Sequence, residues 1–101
     1  MMKKRFLKTR PVCKVTFELP SQAANGARKV TLVGDFNGWD TESTPMKRRK
    51  DGYFSITVDL PTSREYQFKY LIDDSCWEND WDADNYLPSG HGDGENSVVV
   101  V

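Results

Sequence analysis

Alternation of apolar and polar residues with a period of two constrains this chain more than any other feature. Over residues 13–19, Cys13, Val15, Phe17 and Leu19 alternate with Lys14, Thr16 and Glu18. The pattern returns at Phe54, Ile56, Val58 and Leu60, set against Ser55, Thr57 and Asp59. It returns again at Tyr66, Phe68, Tyr70 and Ile72, set against Glu65, Gln67, Lys69 and Leu71. A period of two is that of a strand with one buried face. Residues 29–33 add a β-branched run closed by Gly34, and residues 97–101 a closing strand. No helical period competes with them.

Turn residues separate these runs. Asn25-Gly26 and Asn37-Gly38 mark loops, Asp51-Gly52 marks a hairpin, and residues 61–64 mark another turn. The short basic stretch over residues 46–50 reads as an edge strand, since charges there discourage edge-to-edge pairing. About six short strands with turns between them imply an all-β antiparallel sandwich. With 101 residues the chain is one domain's worth. The expected division is a basic leader over residues 1–11 and a single domain over residues 12–101. In a sandwich each alternating strand turns its polar side to water, which places Glu65, Gln67 and Lys69 outward.

Charge excludes some functions. Fourteen basic and 15 acidic residues leave a net charge of −1, without the global excess expected of a nucleic-acid binder. The basic residues of the first ten are interrupted by a single aromatic, Phe6, and read as a solvated leader. No apolar stretch follows them as in a secretory signal, and no run approaches a membrane span. The expectation is a cytoplasmic protein with Cys13 and Cys76 as free thiols.

Catalytic and metal chemistry find little support. The one histidine, His91, lies in a Gly-rich polar loop with nothing to align it to a nucleophile. No phosphate-cradling glycine loop occurs, so no cofactor is expected. The Asp80-x-Asp82-x-Asp84 run fails a calcium-loop test. Asn85 and His91 stand where that loop needs glycine and glutamate. No metal site is expected. The tryptophans are more informative. Trp39 lies in a loop, and Trp77 and Trp81 lie in the acidic stretch over residues 73–95. Large apolar side chains in loops either plug the ends of a sandwich or face a ligand.

Ordered motifs resemble a known family. The run Val30-Thr31-Leu32-Val33-Gly34-Asp35-Phe36-Asn37-Gly38-Trp39 resembles the opening motif of family 48 carbohydrate-binding modules. That family includes the early-set domains of isoamylases and branching enzymes, and the glycogen-binding domain of the AMP-activated kinase β subunit. Pro45-Met46 with Asp51-Gly52-Tyr53-Phe54 is similar to its hairpin. Tyr66-Gln67-Phe68-Lys69-Tyr70-Leu71-Ile72-Asp73 is similar to its central strand. Trp77 and Asn96-Ser97-Val98 follow in order. Asp74 stands where the family has glycine, and the loop over residues 90–94 lacks a leucine found in some members.

The resemblance implies an immunoglobulin-like (early-set) sandwich that binds α-1,4-glucan without catalysis. It implies that Trp39 and Trp77 stack on sugar rings while Lys69 and Asn96 hydrogen-bond hydroxyls. The implied partners are glycogen, starch fragments or malto-oligosaccharides, with an enzyme or regulator of glycogen metabolism tethered nearby. Neither nucleic acid nor membrane is expected as a partner. The alternative is an early-set domain that docks on a protein through its basic residues and touches no sugar.

Overall fold

A computed structural model describes residues 2–90 and 94–101. His91, the lone histidine considered above, lies outside the described residues. The described chain forms two antiparallel sheets, an immunoglobulin-like sandwich. Its strands are β1 (Met2–Phe6), β2 (Val12–Leu19), β3 (Val30–Gly34), β4 (Lys47–Arg48), β5 (Phe54–Pro61), β6 (Glu65–Ile72), β7 (Cys76–Glu78), β8 (Asn85–Pro88) and β9 (Glu95–Val100). The first sheet has the order β1-β2-β5-β4 and the second β3-β6-β9-β8. Strand β7 continues the second sheet beside the far end of β6.

The alternating runs supply the core. Cys13, Val15, Phe17 and Leu19 face Tyr66, Phe68, Tyr70 and Val99 between the sheets. The rings of Phe17 and Phe68 meet edge to face, with centroids 5.0 Å apart. Both are fully buried. Burial of such a side chain contributes roughly 2–3 kcal/mol. The expected edge strand is β4, only two residues long and at the margin of its sheet.

Three local expectations change. The basic segment at the start is not wholly a leader, because Met2–Phe6 pairs with β2 along its whole length. Met2, Lys4 and Phe6 stand opposite the core residues Phe17, Val15 and Cys13, so they share the core-facing side. Met2 packs on the core, while Lys4 reaches across to Asp84 at 2.6 Å. The three consecutive cations hide the period of two, and the inward lysine guards a free edge.

The stretch around Asn25 holds a short helix, α1 (Ser21–Ala24), where only a turn was expected. Four residues are too few to show a helical period. Ala23 and Ala24 bury against the core, and Asn25 ends the helix in the left-handed region at φ 49°. The acidic stretch also forms more strand than its turn-rich composition suggests, since residues 73–90 supply β7 and β8.

Asp80 anchors that stretch to the second sheet, and Asp84 ties it to the first. Tyr70 donates its hydroxyl to Asp80 at 2.6 Å in the interior. Asp80 also receives the Asp82 N–H, while its own N–H donates to Ser97 Oγ. Asp84 receives Lys4 and the Val100 N–H. Two of the three carboxylates of the rejected calcium motif, Asp80 and Asp84, thus brace the fold. Among the described residues no group of His, Cys, Asp and Glu is placed to hold a metal ion. None of the described helices is long and apolar enough to cross a membrane.

Candidate functional site

The outer faces of the two sheets differ in kind. On the second sheet, strand register places Thr31, Leu71 and Trp77 in one row. Val33 and Lys69 form a second row, and Gln67, Val98 and Asn85 a third. Val33, Leu71 and Val98 are buried although they point away from the core. The expectation of a plainly polar outer face therefore fails on this sheet. Loop residues cover part of it, and a cleft of about 750 Å³ lies over the rest.

Trp39, Trp77, Lys69 and Asn96 all line that cleft, together with Asp35, Thr41, Gln67, Ser89 and Gly94. Trp81 is 57% exposed and does not line it. Lys69 is half-buried and has no carboxylate or hydrogen-bond partner among the described residues. Its ammonium leaves three donors for a ligand. Asn96 is buried and donates its Nδ2 to Gln67 Oε1 at 3.0 Å. That contact orients both amides.

The loop after β3 is built residue by residue from its sequence. A Cβ on Gly34 would lie 2.6 Å from the Gln67 carbonyl oxygen and 2.8 Å from Phe68 Cβ, so only glycine allows this approach. Phe36 folds inward against Phe17 and Tyr66, with centroids 5.6 and 6.1 Å away. Asn37 receives the Gly34 N–H and donates to the Leu32 carbonyl and to Thr44 Oγ1. Gly38 and Trp39 both take left-handed backbone, at φ 67° and 58°. For tryptophan this is a strained conformation, of the kind that clusters at functional sites. Asp35 holds the result in place. One carboxylate oxygen accepts the Trp39 indole N–H at 2.8 Å and the other the Gln67 N–H at 2.7 Å. A single side chain thus fixes the indole to the strand that carries Lys69.

Trp77 is delivered by the hairpin from β6 to β7. Asp73 and Asp74 both have positive φ, 50° and 57°, and the Ser75 N–H donates to the Ile72 carbonyl. This is a tight turn of the kind that favours glycine. Asp73 compensates by accepting the N–H groups of Arg28 and Lys29, both at 2.9 Å. Trp77 is 48% exposed, directly across the strand from Leu71.

Comparison with known proteins decides the family. The carbohydrate-binding module 48 (isoamylase N-terminal domain) family matches residues 14–87. The chain belongs to that family. It is 31% identical over 78 residues to protein PTST homolog 2, chloroplastic, of Arabidopsis thaliana, covering 76% of this chain and 13% of that protein. It is 35% identical over 78 residues to protein FLOURY ENDOSPERM 6, chloroplastic, of Oryza sativa subsp. japonica, covering 77% and 14%. A 1,4-alpha-glucan branching enzyme of Aquifex aeolicus is 44% identical over 55 residues, covering 50% of this chain and 8% of the enzyme. The chain thus spans a small part of the relatives it matches. Membership in this family makes the domain a binding module and not a catalytic one.

Two residues now stand out that the sequence did not single out as site residues. Asp35 orients Trp39, and Gln67 orients Asn96. Gln67 carried a usable signal, since it lies two positions from Lys69 on the same strand face. Asp35 carried none beyond its place in the loop motif, because its role depends on a contact 32 residues away.

Proposed function

We propose that this module binds α-1,4-glucan in the cleft over the second sheet, and so keeps an attached or associated protein close to polymer. The observation that carries the reading is the meeting of Trp39, Trp77, Lys69 and Asn96 in the wall of one cleft. Indole faces suit the C–H faces of glucose rings. The Lys69 ammonium and the Asn96 amide suit hydroxyls. The family match and the glucan-acting relatives support the same ligand class. An open cleft desolvates only part of a chain, so a dissociation constant of about 10 μM to 1 mM is expected. A weak site of this kind gains from effective concentration when its partner also meets glucan. Free Cys13 and Cys76 support a reducing compartment such as the cytoplasm.

Titration with maltoheptaose, followed through the indole N–H signals of the three tryptophans, tests this. Saturable shifts are expected at Trp39 and Trp77 and not at Trp81, with loss of binding in Trp39→Ala. No shift at millimolar sugar would rule the reading out.

Charge placement favours a second role, docking on an acidic protein surface. Residues 1–20 and 46–61, which build the first sheet, carry ten Lys or Arg against three Asp or Glu; the remainder carry four against twelve. The basic side lies away from the cleft, so both roles are compatible. A Lys47→Glu, Arg48→Glu double variant should keep glucan affinity unchanged and weaken association with a partner enzyme in a low-salt pull-down.

A further inference from the structure

A second depression adjoins the cleft. It has a volume of about 280 Å³ and opens at the side of the sandwich, between β5 and the start of β6. The short partner strands explain why it exists. Strand β4 pairs only with the first residues of β5, and β3 pairs only with the far half of β6. The two sheets are therefore uncovered at this corner except by the loop carrying Phe36. Its lining is mixed: Phe36 and Val58 are half-buried, Tyr66 lies buried beneath Arg64, and Asp59 and Arg64 are exposed at its rim. The Arg64 guanidinium lies 5.2 Å over the Tyr66 ring and has no carboxylate partner among the described residues. Asp59 is half-exposed and pairs with Lys14 through one carboxylate oxygen at 2.9 Å. Asp35 lines both this depression and the cleft, so the two are contiguous.

We propose that this depression is a further subsite for the same glucan chain, reached when the chain is longer than the cleft and continues past Asp35. The inference rests on the glucan reading of the cleft. Its chemistry suits a sugar subsite: a small patch of Phe36 and Val58 lies between one cationic donor, Arg64, and a carboxylate, Asp59, whose oxygen not taken by Lys14 can accept a hydroxyl. The rim charges are of opposite sign, which suits a neutral polyol better than an anion. Arg64 is held over the Tyr66 ring, so less side-chain freedom is lost when a hydroxyl meets it. The consequence is that Arg64 and Asp59 contribute to the affinity of long chains and not to that of short ones.

The test compares maltotriose with maltoheptaose on the intact chain, using calorimetry and backbone amide shifts. Arg64→Ala and, separately, Asp59→Ala should each weaken maltoheptaose by about fivefold, the scale of one exposed hydrogen bond to a charged group. Maltotriose affinity should stay unchanged in both. The Arg64 amide should shift with the long sugar and not with the short one. Equal losses for both sugars would mean that these residues only support the fold, and no loss would mean that the chain does not reach them. Either result overturns the subsite and leaves the cleft intact. Absence of tryptophan shifts with either sugar would instead remove the glucan reading itself.

Discussion

The two outer faces of this sandwich are made by the same rule and end up unlike each other. On the first sheet, rows of short polar and charged side chains stand in register. Lys14 meets Asp59 at 2.9 Å, Thr16 meets Thr57 at 2.8 Å, and Lys3 and Arg49 approach Glu18. Every one of those contacts lies within strands or their hairpin, and the face stays flat. On the second sheet three apolar residues share the outer face with Lys69 and Gln67, and loops after β3 and β6 rise around them. The difference lies partly in the strands, which turn Val33, Leu71 and Val98 outward. It is completed by the loop that carries Trp39 and the short strand that carries Trp77, which stand around that face. A face becomes a site when something covers part of it and leaves the rest open.

Substitutions can break that contrast or sharpen it. The largest effect is expected at Gly34, where the second face depends on a backbone approach that no side chain permits. Gly34→Val should cost about 3 kcal/mol or more, read by urea unfolding. It should also disturb the amide signals of Gln67 and Trp39. A loss below about 1 kcal/mol would show that the loop can move away.

Tyr70 comes next, because it ties the acidic segment beneath the site to the interior. Tyr70→Phe should cost about 2 kcal/mol near neutral pH through the lost bond to Asp80. The variant should also change the alkaline limb of the stability curve. Burial first, then the Asp80 charge and hydrogen bond, pushes the Tyr70 hydroxyl well above its ordinary value of 10.0. The folded state therefore holds this proton more tightly than the unfolded chain. Its contribution is complete below pH 10.0 and disappears as pH rises beyond it. The wild type should lose stability above that pH more steeply than Tyr70→Phe. Parallel curves would refute the assignment.

A paired measurement then addresses the faces directly. Trp39→Ala should weaken maltoheptaose at least about tenfold with the fold retained. Thr57→Ala, on the other outer face, should leave affinity unchanged and cost about 0.5 kcal/mol of stability. If both variants lost affinity equally, the sugar would also engage the outer face of the first sheet around Thr57.

The smallest effect has the opposite sign. Asp74 holds left-handed backbone at φ 57°, and its ion pair with Lys29 is exposed. Asp74→Gly should stabilise by about 0.5 kcal/mol, since the relieved backbone cost outweighs an exposed pair. A measured loss would show that the Lys29 contact matters more than the turn geometry.

Much of this architecture was legible in the residues. Strands β2, β5 and β6 followed from strict alternation, and the β4–β5 hairpin from Asp51-Gly52. Strand β1 did not, because Lys3, Lys4 and Arg5 mask a period that is nonetheless present in Met2, Lys4 and Phe6. The covered outer face of the second sheet was foreshadowed only by Leu71, which breaks the alternation of its strand, and by the unbroken valines at the end. Both are marks of a strand buried on two sides. Loop placement marked Trp39 and Trp77 together with Trp81, and alternation turned Lys69 outward, but only the family resemblance chose Trp39, Trp77, Lys69 and Asn96 as a set.

By itself the sequence determined the all-β class, most strand positions and the inner face of each sheet, because side-chain alternation is a local consequence of strand geometry. Tertiary structure alone decided which outer face would carry a cleft and how its residues would be held. Asp35 bonds a residue 32 positions later, Asn96 bonds one 29 positions earlier, and Tyr70 finds Asp80 across a turn. Such contacts depend on how loops of particular length return to a twisted sheet, and no spacing along the chain encodes that distance.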